Sequence, residues 1–170
     1  RRSNNIDNNI LDVFNKSGLT VETISDSQIP TKLSAANLNN YKLIFVGDER
    51  FSKKQFIPVR DKPSIIVNYY HTNFWGYTDG EGVSQLGSSQ PLNVNKDGEM
   101  IQVYTQAEFT TGGVSIPYYY LDIENKASSL ETIALTEVTS SGSEYGDVIS
   151  QASPGDALFG GKVQNSKMCF

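Results

Sequence analysis

The residues of this chain that are best suited to chemistry lie where two predicted strands end. Asp48 follows an apolar run at residues 42–47, and His71 follows a second run at residues 64–70. A histidine beside a carboxylate can act as a general base or bind a metal ion. Because the carboxyl ends of parallel strands meet at one edge of a sheet, we expect one cleft to form there. The residues predicted to line this cleft are Asp48, Glu49, Asn68, His71 and Trp75.

The same residues also allow a purely structural interpretation. Asp48 and Glu49 can cap the segment that follows them, and His71 and Trp75 can line a packed loop. The aromatic residues around them suit a core, a protein interface or the face of a sugar ring, and the sequence leaves these three open. The members of this aromatic cluster are Tyr69, Tyr70, His71, Phe74, Trp75 and Tyr77.

Several kinds of chemistry lack the residues they need. One cysteine, Cys169, and one histidine, His71, form neither an internal disulfide nor a zinc site. No Gly-x-Cys-x-Gly or Gly-x-Ser-x-Gly segment supplies a nucleophile elbow. Residues 93–98 resemble a calcium loop, but Tyr104 stands where the bidentate acid is needed, so a hairpin turn is the better account. We therefore predict no metal and no cofactor, and we lean against an enzyme.

Charge and composition limit the classes of partner and the cellular locations that we expect for this protein. The net charge is −5 and no run of Lys or Arg forms a phosphate-binding stripe, so nucleic acid is not expected as a partner. No apolar stretch approaches the roughly 20 residues that span a bilayer. Only 19% of residues are charged, and Ser, Thr and Asn supply much of the polar surface. This composition predicts an extracellular or cell-surface protein, and Asn15-Lys16-Ser17 matches the N-glycosylation pattern.

Periodicity predicts helix first and strands afterwards. The spacing of Ile6, Ile10, Val13 and Phe14 predicts a helix over 5–17 that stops at Gly18. A strand is predicted next, at 19–24, and then a short helical or irregular connection over 30–40. The two continuous apolar runs are typical of parallel strands buried on both faces. The C-terminal half is predicted as a loop at 76–90 and strands at 100–104, 118–123, 132–138, 146–149, 157–159 and 167–170.

Three segments carry a resemblance to a known group of proteins. They are Asp7-Asn8-Asn9-Ile10-Leu11 leading to Gly18-Leu19-Thr20-Val21, then residues 40–48, then Pro63-Ser64-Ile65-Ile66-Val67. This pattern resembles the class I glutamine-amidotransferase-like group, which includes the ThuA-like proteins. The resemblance implies one α/β domain over residues 1–170. It implies a flavodoxin-like three-layer sandwich with a mainly parallel central sheet and β-hairpins added in the C-terminal half.

Two departures from that group shape the functional prediction. The amidotransferase nucleophile is absent, because residues 68–71 hold neither Cys nor Ser at the expected turn. The sequence also lacks the first strand that the group has before the helix at 5–17. Either that strand belongs to a longer protein, or another strand of this chain takes its place. We expect the chain to be a fragment of a longer protein.

The leading prediction is a non-catalytic structural or interaction domain of a secreted or surface protein. Its partner would be another protein or the remainder of a larger chain. The alternative is a ThuA-like enzyme or a carbohydrate-binding domain that uses the cleft after strands 42–47 and 64–70.

Overall fold

The computed structural model describes residues 8–80, 83–86, 92–94, 118–137 and 145–170. These residues fall into two compact units. The first comprises the described residues up to Lys42 together with Glu49–Pro58, and the second comprises Leu43–Asp48 and the described residues from Val59 onward.

The first unit is made of short helices. Helix α1 spans Asn8–Lys16, which confirms the predicted helix over the part that is described. The turn that follows α1 contains Gly18, whose φ of 72° is the left-handed value that glycine adopts most easily. Helix α2 spans Ile29–Lys32 and has Pro30 in its first turn, where the missing N–H costs nothing. Three 3-10 helices accompany them, at Asp26–Gln28, Leu38–Asn40 and Lys54–Phe56.

The predicted strand at 19–24 is wrong. These residues form no strand, and side-chain bonds to Glu22 hold the segment instead. The Tyr41 hydroxyl donates to Glu22 Oε2 at 2.7 Å, and the Lys32 ammonium donates to Oε1. These two donors lower the pKa of the Glu22 carboxyl. The β-branched residues that favoured a strand therefore lie in an irregular segment fixed by a carboxylate.

The second unit contains an eight-stranded mixed sheet. It also contains the short helix α3, Thr72–Trp75, and a separate hairpin of β8, Ala157–Leu158, and β9, Lys162–Val163. The sheet strands are β1 Ile44–Val46, β2 Ser64–Ile66, β3 Val83–Leu86, β4 Leu92–Val94, β5 Tyr118–Asp122, β6 Glu131–Glu137, β7 Tyr145–Ala152 and β10 Met168–Cys169.

Strand β7 pairs with three other strands, so the sheet branches there. Along one edge β7 pairs with β6, which continues to β4. Along its other edge β7 pairs first with β5, which continues to β3, and then with β10. All of these pairs are antiparallel. Beyond β10 lie β2 and then β1, and these last two contacts are parallel.

The parallel arrangement of the two apolar runs is confirmed, but the flavodoxin-like sandwich is wrong. Phe45 lies opposite Ile65 in a parallel register, as expected. Each of these strands has only three residues, however, and most of the other strands pair antiparallel. The described residues contain three α-helices, and two of them have four residues each. These elements do not make a mainly parallel sheet covered by helices on both faces.

The other strand predictions had mixed outcomes. The expected strands at 118–123, 132–138, 146–149, 157–159 and 167–170 are confirmed with shifted ends. The expected loop at 76–90 is wrong in part, because β3 lies within it. The strand predicted at 100–104 and most of the turn at 93–98 lie outside the described residues. None of the described helices has the length and apolar character needed to cross a membrane.

The core beside β2 contains buried polar side chains that are joined by hydrogen bonds. Tyr77 and Gln164 are both fully buried, and the Tyr77 hydroxyl donates to Gln164 Oε1 at 3.2 Å. Gln164 Nε2 in turn donates to the carbonyl oxygens of Val59 and Ser166. Burial raises the pKa of the Tyr77 hydroxyl, so this group stays a neutral donor. The chain segments before β2 and before β10 are thereby held together.

A buried ion pair joins β7 to the turn between β5 and β6. Lys126 Nζ lies 2.6 Å from Asp147 Oδ2, and the two side chains are 9% and 0% exposed. The Thr132 hydroxyl donates to Asp147 Oδ1 at 2.9 Å, and Lys126 also donates to the Leu130 carbonyl at 3.3 Å. Burial raises the pKa of the Asp147 carboxyl, although the hydrogen bond from Lys126 opposes this effect.

Gly146 in β7 lies directly under the ring of Tyr120 in β5. A Cβ atom at this position would lie 1.7 Å from Tyr120 Cδ2, which is far inside van der Waals contact. Tyr120 is itself only 3% exposed, so its ring has little room to move. Glycine is therefore required here by the close approach of the two strands.

We expect Gly146→Ala to lower the free energy of unfolding by about 2–4 kcal/mol, because the added methyl group displaces a buried ring. Gly47→Ala is the matched control, since its Cβ would meet only Phe45 Cε1 at an ordinary 4.0 Å. We expect that variant to change stability by less than about 0.5 kcal/mol. Urea unfolding measures both, and equal stability of the two variants would contradict the packing described here.

Candidate functional site

A shallow hollow lies in the second unit at the carboxyl ends of β1 and β2. Its volume is about 180 Å³. Its walls are mostly apolar, with one carboxylate and one phenol ring. The lining residues are Asp48, Ile66, Val67, Tyr69, Val148 and Phe170.

Backbone pairing positions the walls of the hollow. The Val67 amide donates to the Val46 carbonyl at 3.0 Å, which extends the parallel ladder just past β2. Phe170 and Ser150 exchange two backbone hydrogen bonds, of 2.8 and 3.2 Å, which extend the β7–β10 pair in the same way. Val148 lies where the β6–β7 register shifts between Ile149 and Asp147. The hollow is therefore built from the ends of strands whose register is fixed by the sheet.

Asn68 fixes the turn that leads to Asp48. Its side chain is fully buried, and Nδ2 donates to the Gly47 carbonyl at 2.8 Å. This bond joins the turn after β1 to the turn after β2. Asn68 therefore acts as a positioning residue for Asp48, which follows Gly47 in the chain.

His71 and Trp75 form a separate pair outside the hollow. They are 5% and 3% exposed, and their rings meet edge to face with centroids 5.6 Å apart. His71 immediately precedes α3, and its carbonyl accepts the Trp75 amide at 3.1 Å. Neither residue belongs to the lining of the hollow. Of the five residues predicted for the cleft, only Asp48 lines the hollow, and Asn68 is buried with a bond to the Gly47 carbonyl. His71 and Trp75 form a buried aromatic contact, and Glu49 belongs to the first unit.

The aromatic cluster divides between core and surface. Trp75 and Tyr77 are core residues, whereas Phe74 is 40% exposed. Tyr69 and Tyr70 stack at 3.9 Å with a tilt of 35°, and Tyr69 faces the hollow. The core interpretation therefore holds for Trp75 and Tyr77, and the binding interpretation of the others stays a prediction.

The carboxyl of Asp48 has unusual surroundings for an exposed acid. Its side chain stands at the rim of the hollow, where apolar neighbours displace part of its water. This partial desolvation raises the pKa of the Asp48 carboxyl. A carboxylate that is poorly solvated gains more from a cationic partner than one that is fully hydrated.

Of the six residues that line the hollow, the sequence predicted only Asp48 for the cleft. Ile66, Val67 and Tyr69 lie in or just after β2, whereas Val148 and Phe170 are far along the chain from β1 and β2. Val148 and Phe170 reach the hollow only because β10 lies between β2 and β7. No local pattern in the sequence predicts that pairing. Among the described residues, no three His, Cys, Asp or Glu side chains are grouped so that they could hold a metal ion.

Comparison with known proteins does not assign this site. No protein-family model, no curated protein and no solved structure matches the chain. The resemblance to the glutamine-amidotransferase-like group therefore stays a prediction, and the flavodoxin-like fold that it implied is wrong for the described residues.

We expect the Asp48 carboxyl to titrate at a higher pH than an unperturbed aspartate does. In Val148→Ser, we expect the Asp48 midpoint to fall, because the polar side chain admits water to the hollow. Carbon-13 NMR of the Asp48 carboxyl measures both. Because the folded-state pKa exceeds the unfolded one, the stabilising contribution of Asp48 is present at low pH and is lost as the pH rises through the folded pKa. Val163→Ser, on the exposed β9, is the control and leaves the midpoint in place. An Asp48 midpoint at or below the ordinary value would contradict the proposed surroundings.

Proposed function

We propose that this chain is a non-catalytic interaction domain whose hollow receives a basic side chain from a protein partner. The observation that carries the proposal is the hollow at the ends of β1 and β2, where Asp48 stands beside apolar walls and Tyr69. An extracellular or cell-surface location agrees with this function and stays a prediction from composition.

The size of the hollow favours a single side chain over a free ligand. Pockets for drug-sized ligands measure roughly 300–1,000 Å³ and enclose most of the ligand surface. At about 180 Å³ and open on one side, this hollow accommodates much less. A side chain presented by a partner also needs only part of its own surface covered, because the rest of the partner covers the surroundings.

Charge and wall chemistry favour a cation on an apolar stem. Asp48 supplies the negative group, and the chain as a whole carries a net charge of −5. Val67, Val148 and Phe170 offer apolar contact to methylene groups, and Tyr69 adds an aromatic ring to the lining, which suits a cation. Lysine and arginine side chains combine these two properties.

We expect N-acetyl-lysine methylamide to shift the amide resonances of Asp48, Val67 and Tyr69 in an NMR titration. A contact of this size is worth about 4 kcal/mol at most, which corresponds to a roughly millimolar Kd. Asp48→Asn should weaken the binding several-fold. The norleucine analogue of the probe, which lacks the amine, should bind to the wild type several-fold more weakly than the lysine probe. Equal binding of the two probes would contradict a cation site.

A photo-crosslinking amino acid at residue 67 tests the protein-binding function in the native cells. We expect a cross-linked protein partner from residue 67 and none from residue 163, because only the former lies at the hollow. Val67 and Val163 are matched in type and exposure, at 48% and 44%. Equal cross-linking from both positions would contradict the proposed surface. Binding of a sugar on a glycan array, abolished by Tyr69→Ala, would instead favour the carbohydrate alternative.

A further inference from the structure

The ion pair between Lys126 and Asp147 has a geometry suited to covalent chemistry. The amine nitrogen and a carboxyl oxygen are 2.6 Å apart inside the protein, and both side chains are almost completely shielded from water. The chain offers no second cysteine for a disulfide. No part of the proposed binding function uses these two residues.

We propose that Lys126 and Asp147 condense to an intramolecular amide that links β7 to the turn before β6. The bond that forms joins Lys126 Nζ to Asp147 Cγ, and the bond that breaks joins Cγ to Oδ2. An ammonium and a carboxylate give one amide and one water molecule: two protons of Nζ leave with the oxygen, and the third stays on the amide nitrogen. No oxidant, reductant or other co-reactant is required.

The surroundings of the pair support each part of this reaction. The Thr132 hydroxyl donates to Asp147 Oδ1 at 2.9 Å, where negative charge develops when the amine attacks the carboxyl carbon. The Leu130 carbonyl accepts a hydrogen bond from Lys126 Nζ at 3.3 Å and so helps to orient the amine. Amine and carboxyl are held in contact by the fold, which gives a high effective concentration of one for the other.

Burial favours the amide over the ion pair. Two charges enclosed in the protein lose most of their hydration, and their mutual attraction repays this loss only in part. Burial also raises the pKa of the Asp147 carboxyl, which favours the neutral form of this group. The amide then removes both charges permanently and keeps the hydrogen bond from Thr132.

Mass spectrometry of the denatured full chain tests the proposal. We expect an intact mass lower than the sequence mass by one water molecule, and a branched peptide joining the segments around Lys126 and Asp147 after proteolysis. An intact mass equal to that of the sequence would overturn the proposal, whatever the variants do.

Two variants separate this amide from other losses of water. Lys126→Arg keeps the positive charge but lacks the amine, so its mass should equal that of its own sequence. Asp147→Asn should lose ammonia in place of water, because the leaving group is then an amide nitrogen. Asp79-Gly80 and Asp97-Gly98 can also lose water by succinimide formation. A loss of water that persists in Lys126→Arg would therefore overturn the proposal.

Discussion

The second unit depends on backbone pairing at the two ends of β7. Near its start β7 pairs with β5, and near its end it pairs with β10, while β6 runs along its other edge. The close approach at the start is possible because Gly146 leaves room for the Tyr120 ring. At the other end, β10 is the only described strand that joins the antiparallel part of the sheet to the parallel pair β1 and β2. Strand β10 has just two residues, so this connection rests on very few hydrogen bonds.

The hollow follows from that connection. Asp48 and Val67 stand at the ends of the parallel strands, and Val148 and Phe170 come from the antiparallel side. Since β10 holds the two sides together, the hollow exists only where the parallel and antiparallel parts of the sheet meet. Ligands in open α/β sheets commonly bind beyond the carboxyl ends of parallel strands. The hollow stands at the equivalent end of β1 and β2, although the rest of this sheet is arranged differently.

The sequence predicted the local elements better than their assembly. Continuous apolar runs identified the parallel strands of the sheet, and the spacing of Ile10, Val13 and Phe14 together with Gly18 identified helix α1. The strand predicted at 19–24 is wrong, because these residues pair with no described strand and Glu22 bonds to Tyr41 and Lys32 instead. The β-propensity of a short segment does not by itself supply a neighbouring strand. The flavodoxin-like fold failed because parallel pairing of two strands does not determine how the remaining strands pair.

The candidate site was predictable only in part, for a related reason. Asp48 follows β1 closely in the chain, and the rule for strand ends placed it at the hollow. Asn68 follows β2 in the same way, but its buried side chain bonds to the Gly47 carbonyl and does not line the hollow. His71 also follows a strand, but the turn into α3 carries it into a buried contact with Trp75. Val148 and Phe170 depend on long-range register. Local periodicity carries no information about which distant strands become neighbours.

The pairing of β10 is the central claim of this account, and NMR contacts across the sheet test it most directly. The account predicts backbone contacts from Met168 to both Ser64 and Ala152, together with slow exchange of the Ser64 amide, which donates to the Lys167 carbonyl. Contacts from Met168 to neither residue, or a Ser64 amide that exchanges at the rate of an unprotected one, would contradict it. The hollow would then lose its second wall.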